Sequence, residues 1–380
     1  MIIGIPAAQG SETRVAASPA HIKLMQKMGI EQFLLEKGAG ATAHFQDSEY
    51  ESLGVKVVSR AEVLKSADVL LLMNPLEQEE TTSLRKEQVL LGQLNPLGDP
   101  AALNDLIKAG VTSFSLDQIP RTTRAQSMDI LSSMATTAGY RAVLLAASHL
   151  PKFFPMFMTA AGTIKPSKVL ILGAGVAGLQ AISSARRLGA VVEAFDVRAA
   201  VKEEVLSLGA KFVEVEGATD DKAAGGYAVE QTEDYKKRQA ELIHEHAMQA
   251  DVVICTAQIP GRKAPLLIPE KTVLGMKAGS VVVDLAASTG GNCELTENNA
   301  IVVKHGITII GDSNLPTGLA TDASEMFGKN LCNFLKLIVN EEGQLHLNFE
   351  DDLVEGSCIT KEGKVVNGRV KKILGLEETA

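Results

Sequence analysis

The stretch that most constrains this chain is residues 168–198, K-V-L-I-L-G-A-G-V-A-G-L-Q-A-I-S-S-A-R-R-L-G-A-V-V-E-A-F-D-V-R. Residues 169–172 form an unbroken apolar run, the mark of a strand buried on both faces. Gly173, Gly175 and Gly178 follow in the spacing G-x-G-x-x-G. From Val176 the pattern turns helical, with Leu179, Ile182 and Leu188 on one face, and Gly189 stops it. A second apolar run, 191–195, ends in Asp196.

Strand, glycine turn, helix, strand and acid in this order predict a dinucleotide site. Gly173 permits the tight turn, Gly175 lets a pyrophosphate approach the backbone, and Gly178 lets helix and strand pack closely. The helix N-terminus, with Val176 and Ala177, offers free N–H groups and a partial positive charge to the phosphates. Asp196 can accept from both ribose hydroxyls and repels a 2′-phosphate, which favours NAD(H) over NADP(H). Arg198 works the other way, because a nearby arginine can hold a 2′-phosphate. The competing structural reading is a glycine-rich turn without a ligand.

At 380 residues the chain is long enough for two domains. Hydrophobic residues at 46 % and charged ones at 22 % make a globular composition. A net charge of −9 without a basic block argues against nucleic acid as a partner. Residues 1–6 run straight into a short strand and carry no signal-peptide pattern. The apolar window 142–162 is interrupted by His149, Pro151, Lys152 and Pro155, so no membrane span is expected there. Cys255, Cys293, Cys332 and Cys358 form no metal-ligand spacing, so no metal is expected and the thiols read as reduced and cytosolic.

Before residue 118, apolar runs at 2–5, 33–36, 55–58, 69–73, 89–91 and 111–114 alternate with helical patterns at 21–28, 61–65 and 103–109. This βαβ series predicts a parallel sheet with helices on both faces and no glycine fingerprint of its own. The segment R-T-T-R-A-Q-S-M-D-I-L-S-S (121–133) follows. Gln126, Asp129 and Ser132 are three apart and are expected on one helix face. Arg121 and Arg124 suit a phosphate or a carboxylate; a solvated face with a salt bridge is the plain alternative. Residues 140–166 read as a connector or hairpin arm. After Asp196, a helix near 201–208, strands at 211–215, 251–256 and 280–285, parts of 301–310, and a charged helix near 234–248 complete a second domain. The glycine-rich stretch 217–228 reads as a mobile loop carrying Tyr227. At 322–325, D-A-S-E has the form of a capping box opening a helix with Phe327, Leu331, Phe334, Leu335 and Ile338 on one face. The fold class expected is α/β: two Rossmann-like, doubly wound parallel-sheet domains with a cleft between them. The expected domains are 1–132 plus 321–380, and 133–320.

These stretches resemble the family of the NAD(H)-binding soluble component (the first piece of a split alpha subunit) of proton-translocating NAD(P) transhydrogenase, which is related to the alanine dehydrogenases. The resemblance rests on P-R-T-T-R-A-Q-S-M-D-I-L-S-S, M-T-A-A-G-T (158–163), G-A-G-V-A-G with F-D-V-R, A-G-G-Y-A (224–228), I-P-G-R-K-A-P (259–265), V-D-L-A and G-G-N-C. It implies that Arg121, Gln126, Asp129 and Ser132 border the nicotinamide, with Thr122, Thr123 and Arg124 beside them. It implies that Gly226 and Tyr227 close over the nucleotide, and that Val197, Gln239, Ala257 and Gln258 contact it. Gln258 departs from the aliphatic residue usual at the adenine wall. The implied reaction is hydride transfer from NADH to NADP⁺, of the Si-Re (AB-specific) type. NADP(H) sits on a partner component and a transmembrane component couples transfer to proton translocation. The apolar arm at 140–166, with Phe153, Phe154, Met156, Phe157 and Met158, predicts a homodimer, and the resemblance implies a chain that is cytoplasmic and peripheral to the inner membrane. Such chemistry needs alignment and water exclusion, not a protein nucleophile or a metal.

Two other functions compete. An alanine dehydrogenase-like enzyme wants a lysine and a histidine in the first domain, yet 69–80 holds no lysine and 45–148 no histidine, and Ser288 stands where an acid is expected. A non-catalytic NAD-sensing module does not need the polar Gln126–Asp129 face.

Overall fold

The structure is a computed structural model that describes residues 1–98, 100–215, 232–258 and 262–376. The chain divides into two compact units, one of Met1–Met134 with Thr317–Ala380 and one of Ala135–Pro316. The first unit opens with β1 (Ile2–Ile5), β2 (Gln32–Glu36), β3 (Lys56–Val58), β4 (Val69–Leu72), β5 (Val89–Gly92) and β6 (Thr112–Ser115). The second holds β7 (Phe157–Thr159), β8 (Gly162–Ile164), β9 (Lys168–Leu172), β10 (Val191–Phe195), β11 (Lys211–Val213), β12 (Val252–Cys255), β13 (Val281–Asp284), β14 (Ile301–Lys304) and β15 (Ile307–Ile310). The returning chain adds β16 (Cys358–Lys361) and β17 (Lys364–Val365) to the first sheet.

The sheet orders are β17-β16-β6-β5-β4-β1-β2-β3 and β11-β10-β9-β12-β13-β15-β14. Strands β1–β6 pair in parallel, as do β9–β13 and β15; within these two sheets antiparallel pairing is confined to the edges, where β16 joins β6 and β17, and β14 joins β15. Both central orders are the doubly wound one, with switch points between β1 and β4 and between β9 and β12. The reason is visible in the strands: V-L-L-L of β4, V-V-I-C of β12 and V-V-V-D of β13 are buried at every position, which only helices on both faces allow. The parallel-dominated α/β class expected from the sequence is the one observed.

Residues 301–310 supply buried strand in part, as expected: β15 is mostly buried, and β14 pairs with it as a hairpin through His305 and Gly306, both at positive φ (53° and 77°), leaving Val303 on the edge strand 68 % exposed. One local expectation differs. The D-A-S-E capping box does not open its helix. That helix runs Ala320–Ile338, continuing the 3₁₀ turn Leu315–Leu319, so Asp322 lies inside its first turn. The Thr321 hydroxyl instead donates to the Ala43 carbonyl, a contact no local motif announces. Among the described residues, one helix, Ile130–His149, is long and apolar enough to cross a membrane by length and composition alone. Its Ala142, Val143 and Ala146 are buried in the second unit's core with Val169, Ile171 and Ile182.

After that helix, β7 and β8 pair as an antiparallel hairpin. Its apolar side chains are uncovered: Phe153, Met156, Phe157, Met158 and Ile164 are exposed, Met158 at 77 %.

Candidate dinucleotide site

In the second unit the fingerprint glycines have three distinct environments. Gly173 ends β9 with φ +101°, and a Cβ there would lie 2.6 Å from the Thr256 hydroxyl. Gly178 is pressed against the turn: a Cβ would come within 1.9 Å of the Gly173 carbonyl oxygen. Gly175 differs. Its φ of −76° suits any residue, and a Cβ would meet nothing nearer than the Arg198 Nη2 at 4.0 Å. It caps the Val176–Arg187 helix, so the first helical N–H groups open beside it. Neither its φ nor its protein neighbours therefore require residue 175 to be glycine. A groove of about 430 Å³ runs alongside that helix, lined by Val176, Leu179, Gln180 and Ser183.

Asp196 follows β10 and is buried. Its Oδ2 accepts the Ala174 N–H (2.7 Å) and Arg198 Nη2 (2.7 Å), and its Oδ1 accepts the Arg198 N–H (2.8 Å) and Nε (2.9 Å). The carboxylate's acceptor sites are thus filled, mostly by Arg198. Val197 packs on the core beneath. Across the switch point, the Thr256 hydroxyl donates to the Gly173 carbonyl (3.0 Å), and the Gln258 amide donates to the Leu285 carbonyl (2.9 Å). Ala257 lies between them, half-buried. Gln239 sits on the Glu233–Gln249 helix between Tyr235 and Ile243, on the stripe that faces the core.

In the first unit, Gln126, Asp129 and Ser132 do not share one helix face as their spacing suggests. Gln126–Met128 is a 3₁₀ turn, Asp129 is extended (ψ 94°), and the helix starts at Ile130. Asp129 is its cap: the carboxylate accepts the Ser132 N–H (3.0 Å) and hydroxyl (2.6 Å). Gln126 is exposed, and among the described residues its amide has no protein partner. The turn beneath it is braced, because Asn330 and Asn333 both donate to the Ser127 carbonyl at 2.9 Å. Arg121, Thr122 and Thr123 are exposed on the preceding turns. Arg124 meets a carboxylate rather than a phosphate: its guanidinium pairs with Asp351 and with Asp352. Burial alone works to raise the Asp351 carboxyl, but Arg124 and the Leu353 and Val354 N–H groups hold it below the usual range. Gly226, Tyr227 and the rest of the 217–228 stretch lie outside the described residues, as do the first three residues of I-P-G-R-K-A-P.

The described residues hold no cluster of His, Cys, Asp and Glu suited to a metal ion. The four cysteines are free and buried. Burial pushes Cys255 well above its usual value, Cys293 up to about 11, and Cys332 and Cys358 to about 12, so none is a thiolate at neutral pH.

Residues 4–138 match the family model "Alanine dehydrogenase/PNT, N-terminal domain", and residues 142–368 match its C-terminal counterpart. The chain is 45 % identical over 365 residues to the first piece of the split NAD(P) transhydrogenase alpha subunit of Rhodospirillum rubrum, covering 94 % of this chain and 95 % of that one. The chain belongs to the NAD(P) transhydrogenase alpha-subunit family. A solved transhydrogenase from Sinorhizobium meliloti has the same fold, with a TM-score of 0.88 and 42 % identity over 96 % of this chain and all of that one. Alanine dehydrogenase of Bacillus subtilis is similar at 27 % over 99 % of this chain and 96 % of that one, so the transhydrogenase relatives are markedly nearer. Within this transhydrogenase family framework, sequence reasoning missed Asn330, Asn333 and Thr256. The two asparagines act from 203 and 206 residues away, beyond any local pattern.

Proposed function

We propose that the second unit binds NADH and presents it for direct hydride transfer to NADP⁺ held by a separate NADP(H)-binding component. A transmembrane component couples that transfer to proton translocation, which places the chain on the cytoplasmic side, peripheral to the inner membrane. The observation that carries this reading is Gly175: an ordinary backbone angle and open surroundings at a helix N-terminus, with the Asp196 carboxylate beside the same turn. Bound there, NADH supplies the hydride from its A side, and the nicotinamide of NADP⁺ receives it on the B side.

The chain's own residues bind, orient and exclude water. The Val176–Arg187 helix N-terminus receives the pyrophosphate. Asp196 accepts the ribose hydroxyls once Arg198 swings away, since its acceptor sites are otherwise filled. Gln126, Arg121 and the Asp129–Ser132 pair align the nicotinamide, with Gln126 bridging to the second nucleotide. Thr122, Thr123, Val197, Gln239, Ala257, Gln258, Gly226 and Tyr227 complete the proposed contacts.

Selectivity tests this reading. A 2′-phosphate beside a buried carboxylate costs at least about 1.4 kcal/mol, so NADH should bind at least about tenfold more tightly than NADPH. Equal affinities in a calorimetric titration would contradict it and would mean that Arg198 leaves Asp196 to take the phosphate.

The same reading makes the chain a homodimer through the β7–β8 hairpin. Five exposed apolar side chains on one short arm form a patch a monomer leaves wet. Sedimentation at micromolar concentration should give twice the chain mass; a persistent monomer would exclude the arm as an interface.

A further inference from the structure

Two motifs, V-D-L-A (283–286) and G-G-N-C (290–293), lie outside the proposed nucleotide contacts. β13 ends in Asp284, whose side chain is fully buried. Its Oδ2 accepts the Asn292 N–H (2.8 Å), the Cys293 N–H (2.9 Å) and the Thr296 hydroxyl (2.7 Å), and its Oδ1 accepts the Ala286 N–H (3.0 Å). A carboxylate with this many donors needs no cation and sets the course of the loop. Gly290 and Gly291 reverse the chain at φ 99° and 75°, and a Cβ on Gly291 would come 2.9 Å from Asp284 Oδ2.

The loop delivers Asn292, also fully buried, to the end of β12. Its Oδ1 accepts the Ala257 N–H (3.1 Å), and its Nδ2 donates to the carbonyls of Ala257 (2.9 Å) and Pro265 (2.8 Å). One side-chain amide thus stands in for a neighbouring strand just where β12 has run out of ladder partners. The preceding residue, Thr256, passes the constraint on: its N–H and hydroxyl donate to the Leu172 carbonyl (2.8 and 3.3 Å), and the hydroxyl donates to the Gly173 carbonyl (3.0 Å). Gly173 is in turn the residue on which Gly178 rests.

We propose that Asn292, held by Asp284, is a positioning residue for dinucleotide binding: it fixes the Thr256–Ala257 backbone, and Thr256 fixes the Gly173 turn. This rests on the assignment of Gly173–Gly178 to the pyrophosphate.

The test is NADH titration of the full chain alongside thermal melting. Asn292→Ala removes all three amide hydrogen bonds; Thr256→Val removes the hydroxyl link with little change of shape. Val281→Ala opens a cavity at the opposite, buried end of β13 and serves as the stability control. Each of the first two should raise the NADH dissociation constant by about tenfold, and the double variant by less than the product of the singles. Val281→Ala should melt lower and keep wild-type affinity. If Asn292→Ala fails to fold, Thr256→Val, outside the Asp284 cluster, carries the test. Affinities within about twofold of wild type in the folded variants would overturn the proposal, as would an equal loss in Val281→Ala. A wild-type chain that binds no NADH would instead sink the site assignment beneath it.

Discussion

Gly175→Ala should keep the fold and lose NADH. The added methyl meets no protein atom closer than 4.0 Å, and φ −76° is open to alanine. Alanine is a poorer helix cap than glycine by up to about 1 kcal/mol, which roughly offsets the 0.4–1 kcal/mol it gains by restricting the unfolded chain. Melting should therefore stay close to wild type. A pyrophosphate seated against the backbone, however, would be overpacked by the methyl at a cost of about 1–3 kcal/mol, or about five- to more than a hundredfold in affinity. Gly178→Ala makes the contrast. Its methyl would fall 1.9 Å from the Gly173 carbonyl, so backbone must move and stability should drop along with binding. Circular-dichroism melts paired with NADH titrations separate the two. A Gly175→Ala chain that binds NADH normally would remove the reason for this glycine.

Gln126→Asn should do the reverse: spare binding and slow transfer. The Gln126 amide is exposed on its 3₁₀ turn, has no protein partner among the described residues, and can donate to one nucleotide while accepting from the other. The turn is held by Asn330 and Asn333, so a side chain one methylene shorter cannot be rescued by backbone movement. Misplacement of reacting rings by about 1 Å costs on the order of 10²-fold in rate. The NADH dissociation constant should stay within about threefold of wild type while stopped-flow transfer in the reconstituted complex falls by far more. Binding lost in proportion to rate would reduce Gln126 to a simple binding residue.

Where the signal is local and periodic, the sequence is a reliable guide here. Apolar runs placed β1, β4 and β9 almost to the residue, because strands buried on both faces take apolar side chains at nearly every position; the run at 191–195 also located β10, although that strand carries a half-buried, ion-paired Glu193. Two of the fingerprint glycines answer local constraints, Gly173 its positive φ and Gly178 the Gly173 carbonyl five residues back, whereas Gly175 answers none within the protein. Spacing misled where two short elements meet. Three polar residues at intervals of three look like a helix face, but Asp129 prefers to cap the Ile130–His149 helix, which puts a break between Gln126 and Ser132. The 322–325 box does not open its helix because the 3₁₀ turn Leu315–Leu319 runs straight into it at Ala320.

The supports of the site were not legible. Arg124 suits a phosphate or a carboxylate by type alone, and the structure pairs it with the carboxylates of Asp351, 227 residues on, and Asp352. The side chains of Asn292 and Thr256 hydrogen-bond only backbone groups of segments distant in sequence, so the G-G-N-C motif marks Asn292 without showing what it holds, and no local pattern marks Thr256. Arg198 was ambiguous by type alone; in the structure its backbone N–H and guanidinium both bond to Asp196.

Direct transfer between two bound nucleotides is tested most plainly by following deuterium from NADH labelled on the A side at C4. The purified chain mixed with labelled NADH and NADP⁺ should form no NADPH. Adding the NADP(H)-binding component should start the reaction, with the label carried into NADPH and none released to water. NADPH formed by the chain alone, or deuterium lost to solvent, would contradict the account.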